Sequence, residues 1–269
     1  MRLGIIGHGT IGQALLDLIR LHAAGRLDHV ALLVRHAVDA PQGVTVCTSL
    51  DAFLETRPDL IVECAGHGAV RTSVPRCLGA GIDTIIASTG ALADDGLYGE
   101  LRHLAQASGA RLILPTGAIG GIDMLSSLRM AGIHNVAYEG HKPPEAWKGT
   151  PAEQVVDLDH LTAETPVFIG TAREAARLFP KNANVTAALA LDGIGFDRTK
   201  VTLIADPAAT GNSHSYIVDS AVGSYRMTIT GAPSGNAKTS ATTAFSLLRE
   251  ILNRLPPAAD QPGSAPVST

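Results

Sequence analysis

Three observations predict an α/β protein with a doubly wound parallel sheet and a second α/β domain of mixed or antiparallel sheet. Short apolar runs alternate with amphipathic helical stretches through the first 115 residues. A glycine-rich turn follows the first of those runs. Beyond about residue 117 the alternation gives way to extended runs with no helix between them. A length of 269 residues allows one large or two modest domains, and 45% hydrophobic against 17% charged residues supplies a buried core.

The first strands are expected at residues 3–6, 30–34, 60–64, 84–87 and 112–114. All are short and rich in Ile, Val and Leu, as strands covered on both faces should be. Helices are expected between them at 13–22, 49–55, 70–78 and 96–107. The first gathers Ala14, Leu15, Leu18 and Ile19 on one face. In the second part, 124–130 reads as helix and 135–139 as extended, followed by the polar, Pro-containing stretch "GHKPPEAWKGTP". Extended runs at 201–205, 215–218 and 225–230 lack helical crossovers, which favours antiparallel or mixed pairing. Residues 239–255 read as a helix, and the Pro/Ala/Ser tail 257–269 as disordered. The expected division is 1–116, with the helix in 238–256 packing back on it, and 117–237 as a second domain.

Composition excludes several classes. Only 4% of the chain is aromatic and the net charge is −4 with no Lys/Arg run, so no nucleic-acid partner is expected. No run of about 18 apolar residues occurs, so no membrane partner is expected. Gly4, Gly7 and Gly9 interrupt what would be the core of a signal peptide. Cys47, Cys64 and Cys77 are odd in number and lack C-x-x-C spacing, which suits reduced cytoplasmic thiols and offers no metal site.

The opening "GIIGHGTIG" places Gly7-x-Gly9-x-x-Gly12 between a strand and a helix. That is the context of a Rossmann-type dinucleotide loop. The first glycine permits a tight turn, the second lets a pyrophosphate approach the backbone, and the third packs helix on strand. Gly7, Gly9, Thr10, Ile11 and Gly12 are therefore candidate cofactor contacts, the helix start offering N–H groups to the anion. The acid that usually binds the ribose near the end of the second strand is missing, and Arg35 stands there. Either Arg35 accepts a 2′-phosphate, so that NADP serves beside NAD, or it faces solvent. Glu63, Cys64 and Ala65 at one strand end, and Ser88–Gly90 at the next, lie where such a sheet binds ligand.

"PTGAIGGIDML" (115–125), "GHKPPEAW" (140–147), "FPKNANVTAALAL" (179–191) and "GNSHSYIV" (211–218), with "GIIGHGTIG", "ECAG" and "GNAKTSATTAFSLL" (235–248), resemble the L-aspartate dehydrogenase family. The resemblance covers all but the tail. It implies NAD(P)-dependent oxidation of L-aspartate to iminoaspartate, or amination of oxaloacetate with ammonia, a reaction that can feed NAD synthesis. It also implies a homodimer or homotetramer joined through the second domain. The family's catalytic histidine falls on His214, and its cofactor contacts fall on Ala118 and Asn184. A neutral imidazole suits the step, because hydride leaves Cα only after the amine has lost a proton. Strand alternation puts His214 on one face with Tyr216, opposite Ser213 and Ser215; an ordinary sheet histidine is the competing reading. Asn184 can bind the nicotinamide end, cap the helix after it, or do both. Two substrate carboxylates call for cations or donors, and Lys142, His141, Lys181 and Ser213 are the candidates.

Two other readings stand beside this one. A dihydrodipicolinate-reductase-like enzyme shares the two-domain plan, yet its paired histidines and "PSGT" loop are missing here. A non-catalytic NAD(P) sensor would leave "GNSHSYIV" without a task.

Overall fold

The computed structural model describes residues 1–39, 42–180, 183–231 and 241–256. The expectations for Lys181, for residues 232–240 and for the tail from 257 onward lie outside these. The apolar run Arg2–Ile6 forms β1, and Thr10–His22 forms α1 directly after the glycine turn. β2 (His29–Leu33), β3 (Val44–Cys47), α2 (Leu50–Glu55) and β4 (Leu60–Glu63) follow. Then come α3 (His67–Thr72), α4 (Val74–Gly79), β5 (Asp83–Ile86), α5 (Asp95–Ser108) and β6 (Leu112–Ile113). The six strands pair in parallel in the order β3-β2-β1-β4-β5-β6. Every residue of β4 is buried, as a strand between two helical layers requires.

The single helix expected over 70–78 is two. Pro75 has no N–H for the helical ladder, and the chain breaks at Ser73 (φ −108°, ψ −42°). The edge strand β3 is a further addition.

The second sheet starts after α6 (Ile122–Ala131) with the long strand β7 (Ile133–Lys142). β8 (Thr165–Thr171), α7 (Ala172–Leu178), α8 (Asn184–Asp192), β9 (Lys200–Ala205), β10 (Ser213–Ser220) and β11 (Gly223–Thr230) complete it. Its order is β11-β10-β7-β9-β8, antiparallel except between β7 and β9. The sheet is therefore mixed. One face is buried: Val136, Tyr138 and Lys142 from β7, Val201 and Leu203 from β9, His214, Tyr216 and Val218 from β10.

One apolar cluster joins this inner face to the loops of the first sheet, running from Tyr138, Trp147 and Tyr216 through Ala187 and Ile119 to Ala91 and Leu92. The last helix, α9 (Ala241–Leu252), returns to the first sheet, where Leu247, Leu248 and Ile251 share a cluster with Leu15, Leu16 and Ile19 of α1. None of the helices among the described residues is long and apolar enough to cross a membrane.

Candidate active site

The strand order reverses between β1 and β4, and there the glycine turn meets the loop after β4. Gly7 has φ +107°, and a Cβ on it would lie 2.8 Å from that of Ala65. A Cβ on Gly12 would lie 2.3 Å from the Gly7 carbonyl oxygen, so this glycine sets how closely α1 sits on β1. Gly9 differs: a Cβ there would meet no heavy atom of the described residues within 4 Å. Space over Gly9, at the start of a 13-residue helix, fits a dinucleotide's pyrophosphate. Thr10 and Ile11 form the first turn of that helix. Arg35 is exposed just beyond β2, without an ion pair among the described residues.

Glu63 has a structural task that its place in an apolar strand only hinted at. Fully buried, its carboxylate accepts N–H bonds from Ala65 and Gly66, both at 2.7 Å. It also accepts the N–H of Ser88 at 3.2 Å and the Ser88 hydroxyl at 3.0 Å. One side chain thus shapes the loops after β4 and β5 together. The Cys64 thiol turns inward to the carbonyl oxygens of Ile6 (3.4 Å) and Gly7 (3.6 Å), and burial pushes its pKa up. Toward a ligand Cys64 and Ala65 can offer backbone.

Asn184 is not a helix cap. Ala183 holds the cap position, and Asn184 begins α8. Its side-chain oxygen accepts the Gly90 N–H at 3.1 Å, while its carbonyl oxygen accepts the Thr89 hydroxyl at 3.0 Å. Asn184 therefore fastens a helix of the second half to the loop after β5. Ala118, 6% exposed, sits in a turn held from two sides. The Gly117 N–H donates to Ser246 Oγ on α9 (3.1 Å), and Tyr216 Oη on β10 donates to the Gly120 carbonyl (2.8 Å).

Tyr216 is two residues from His214, which puts both on the inner face of β10. His214 is 4% exposed. Its Nδ1 is 2.7 Å from Tyr138 Oη, and its buried Nε2 has no hydrogen-bond partner among the described residues. Lys142, 5% exposed, is the last residue of β7 and shares this face, with its ammonium 5.9 Å from the centre of the Trp147 ring. Burial draws its pKa down to about 8. The His214 pKa falls to about 4, first through burial and then through the Lys142 charge.

Ser213 and His141 are not brought to this cluster. They pair with each other across β10 and β7, one position out of phase with His214 and Lys142, and so belong to the other face of the sheet. There His141 Nδ1 lies 3.9 Å from Glu164 and 4.0 Å from Asp206.

The dinucleotide-type switch point and the mixed second sheet, joined by Asn184 and the 117–121 turn, put the chain among the two-domain nicotinamide-dependent dehydrogenases. Residues 7–115 match the NAD-binding domain model of homoserine dehydrogenase, and 123–254 match the C-terminal domain model of aspartate dehydrogenase. The chain is 44% identical over 257 residues to the L-aspartate dehydrogenase of Pseudomonas aeruginosa, covering 93% of this chain and 96% of the relative. Identity to the Cupriavidus necator enzyme of that name is 42% over 263 residues, covering 94% and 97%. The crystal structure of aspartate dehydrogenase from Thermotoga maritima superposes with a TM-score of 0.75 at 33% identity, covering 94% and 96%. The chain belongs to the aspartate dehydrogenase family.

Proposed function

We propose that this chain oxidises L-aspartate to iminoaspartate with NAD or NADP, and aminates oxaloacetate with ammonia in reverse. The observation that carries the reading is a buried imidazole whose Nε2 has no partner among the described residues, on the same sheet face as a buried ammonium, in a chain of this family. When bound, the nicotinamide ring supplies the hydride acceptor. The protein's part is to hold the substrate and manage one proton. Lys142 binds a substrate carboxylate, a charge-assisted contact that is strong in so dry a site. His214 Nε2 takes a proton from the substrate ammonium, leaving the nitrogen lone pair that drives hydride from Cα. Burial is the larger cause of the lowered His214 pKa and the Lys142 charge the smaller; a carboxylate beside Lys142 offsets the second, so substrate binding moves the imidazole part of the way back toward its ordinary basicity.

Gly7, Gly9, Thr10, Ile11 and Gly12 receive the pyrophosphate, Arg35 a 2′-phosphate, and Cys64, Ala65, Ala118 and Asn184 border the nicotinamide end. Residues 1–116 with 238–256 serve the dinucleotide and 117–237 the substrate. Two or four copies join through the second part in the cytoplasm, where iminoaspartate can enter NAD synthesis. Ser213, on the far face of β10, has no role in this scheme.

The test follows reduced-cofactor absorbance with L-aspartate, then with oxaloacetate and ammonia, using each coenzyme. Turnover in both directions is expected. Absence of turnover with either pair, in protein that still binds the coenzyme, overturns the reading.

A further inference from the structure

Tyr138 lies on the inner face of β7, 2% exposed, with its phenol oxygen out of reach of bulk solvent. The partner it finds is His214 Nδ1 at 2.7 Å, on the neighbouring strand. The contact is diagonal. Tyr138 stands opposite Tyr216, and Gly140 stands opposite His214, so the phenol must cross over Gly140 to reach the imidazole. A Cβ on Gly140 would lie 2.5 Å from the phenol oxygen and 3.0 Å from the ring. Gly140 is not among the residues with positive φ, so its lack of a side chain serves clearance and not backbone shape. The two rings lie 28° from parallel with centres 6.0 Å apart.

This hydrogen bond decides which nitrogen can do chemistry. Neutral imidazole carries one N–H and one lone pair, and the bond made by one nitrogen sets the state of the other. Were the phenol to donate to Nδ1, the hydrogen would reside on Nε2, which could then accept nothing. With the phenol oxygen accepting from Nδ1–H, Nε2 keeps its lone pair. The same bond persists after proton uptake, because imidazolium carries hydrogen on both nitrogens.

Resting on the reading of His214 as proton acceptor, we infer that Tyr138 is a positioning residue: its phenol oxygen accepts His214 Nδ1–H and fixes the tautomer that presents the Nε2 lone pair to the substrate amine. In deamination the ammonium N–H bond breaks, the proton passes to Nε2, and the electron pair stays on the substrate nitrogen. The phenol keeps its own hydrogen throughout. The positive charge remains on the imidazolium and returns to the nitrogen in the amination direction.

Tyr138→Phe keeps the ring and removes the acceptor, while Gly140→Ala keeps the phenol and pushes it aside. For both, kcat for aspartate oxidation is expected to fall at least about tenfold while KM stays within about twofold. ¹⁵N spectra of histidine-labelled protein should show His214 as the Nδ1–H tautomer in wild type and shifted toward Nε2–H in both variants. His214→Ala is the reference. If it retains turnover, the reading of His214 fails and the inference falls with it. If it loses turnover while Tyr138→Phe keeps the wild-type tautomer or kcat, the inference alone is overturned.

Discussion

A single guanidinium at the end of β2 governs coenzyme choice in this scheme. Dehydrogenases confined to NAD usually carry an acid near this position, which binds the ribose hydroxyls and repels a 2′-phosphate. Arg35 is exposed and without a partner among the described residues, so it can swing toward a phosphate without breaking an ion pair. A charge-assisted hydrogen bond of this kind contributes about 1.5–3 kcal/mol. Arg35→Asp should therefore lower kcat/KM for NADP by about 10- to 100-fold and leave that for NAD within about threefold. Steady-state kinetics with both coenzymes check this, and unchanged NADP kinetics would show that Arg35 faces only solvent.

At the scale of elements, the glycine turn separates two kinds of close approach. Gly12→Ala sets a methyl against the Gly7 carbonyl oxygen at 2.3 Å, and backbone there cannot rotate away. α1 must move off β1, which costs about 1–3 kcal/mol of stability and loosens cofactor binding together. Gly9→Ala adds a methyl to empty space. Its melting temperature should match wild type, while the dissociation constant for NAD rises at least about tenfold. Calorimetry and fluorescence titration on the two variants read the contrast; equal cofactor affinity in Gly9→Ala would place the pyrophosphate elsewhere. The turn was legible in the sequence because its three glycines fall within six residues, directly between an apolar run and a helical stretch. β8 was not, because Pro166 argues against a strand; it is tolerated on the outer strand of its sheet, beside a register shift between Pro166 and Phe168. β3 escaped notice as a four-residue edge strand carrying exposed Thr45. The Tyr138–His214 pair was out of reach for another reason: 76 residues separate its members, and only the register of β7 on β10 brings them together.

Across the whole molecule, the candidate site is built from strands and helices whose cores were already required for folding, so His214 and Lys142 are buried with them. The cluster that holds Tyr138, Trp147 and Tyr216 is continuous with Leu92 and Ile119, and the imidazole is dry as a consequence. That dryness has a measurable signature in stability. The His214 pKa in the folded chain is about 4 against an ordinary 6.5, so between those values the unfolded chain holds a proton that the folded chain refuses. Falling pH therefore favours unfolding through that window, and the effect is absent above pH 6.5. Lys142 acts with the same sign at the alkaline end, adding stability as pH rises from about 8 toward 10.5. A shift of the His214 size corresponds to about 3 kcal/mol at full extent. Urea midpoints at neutral pH and near pH 4.5 should show wild type losing about 2 kcal/mol more than His214→Gln over that interval. His67 and Glu63 titrate alike in both proteins and cancel in the comparison. Parallel pH curves for the two would mean that the imidazole is hydrated and titrates normally, which a histidine 4% exposed beside a buried ammonium should not do.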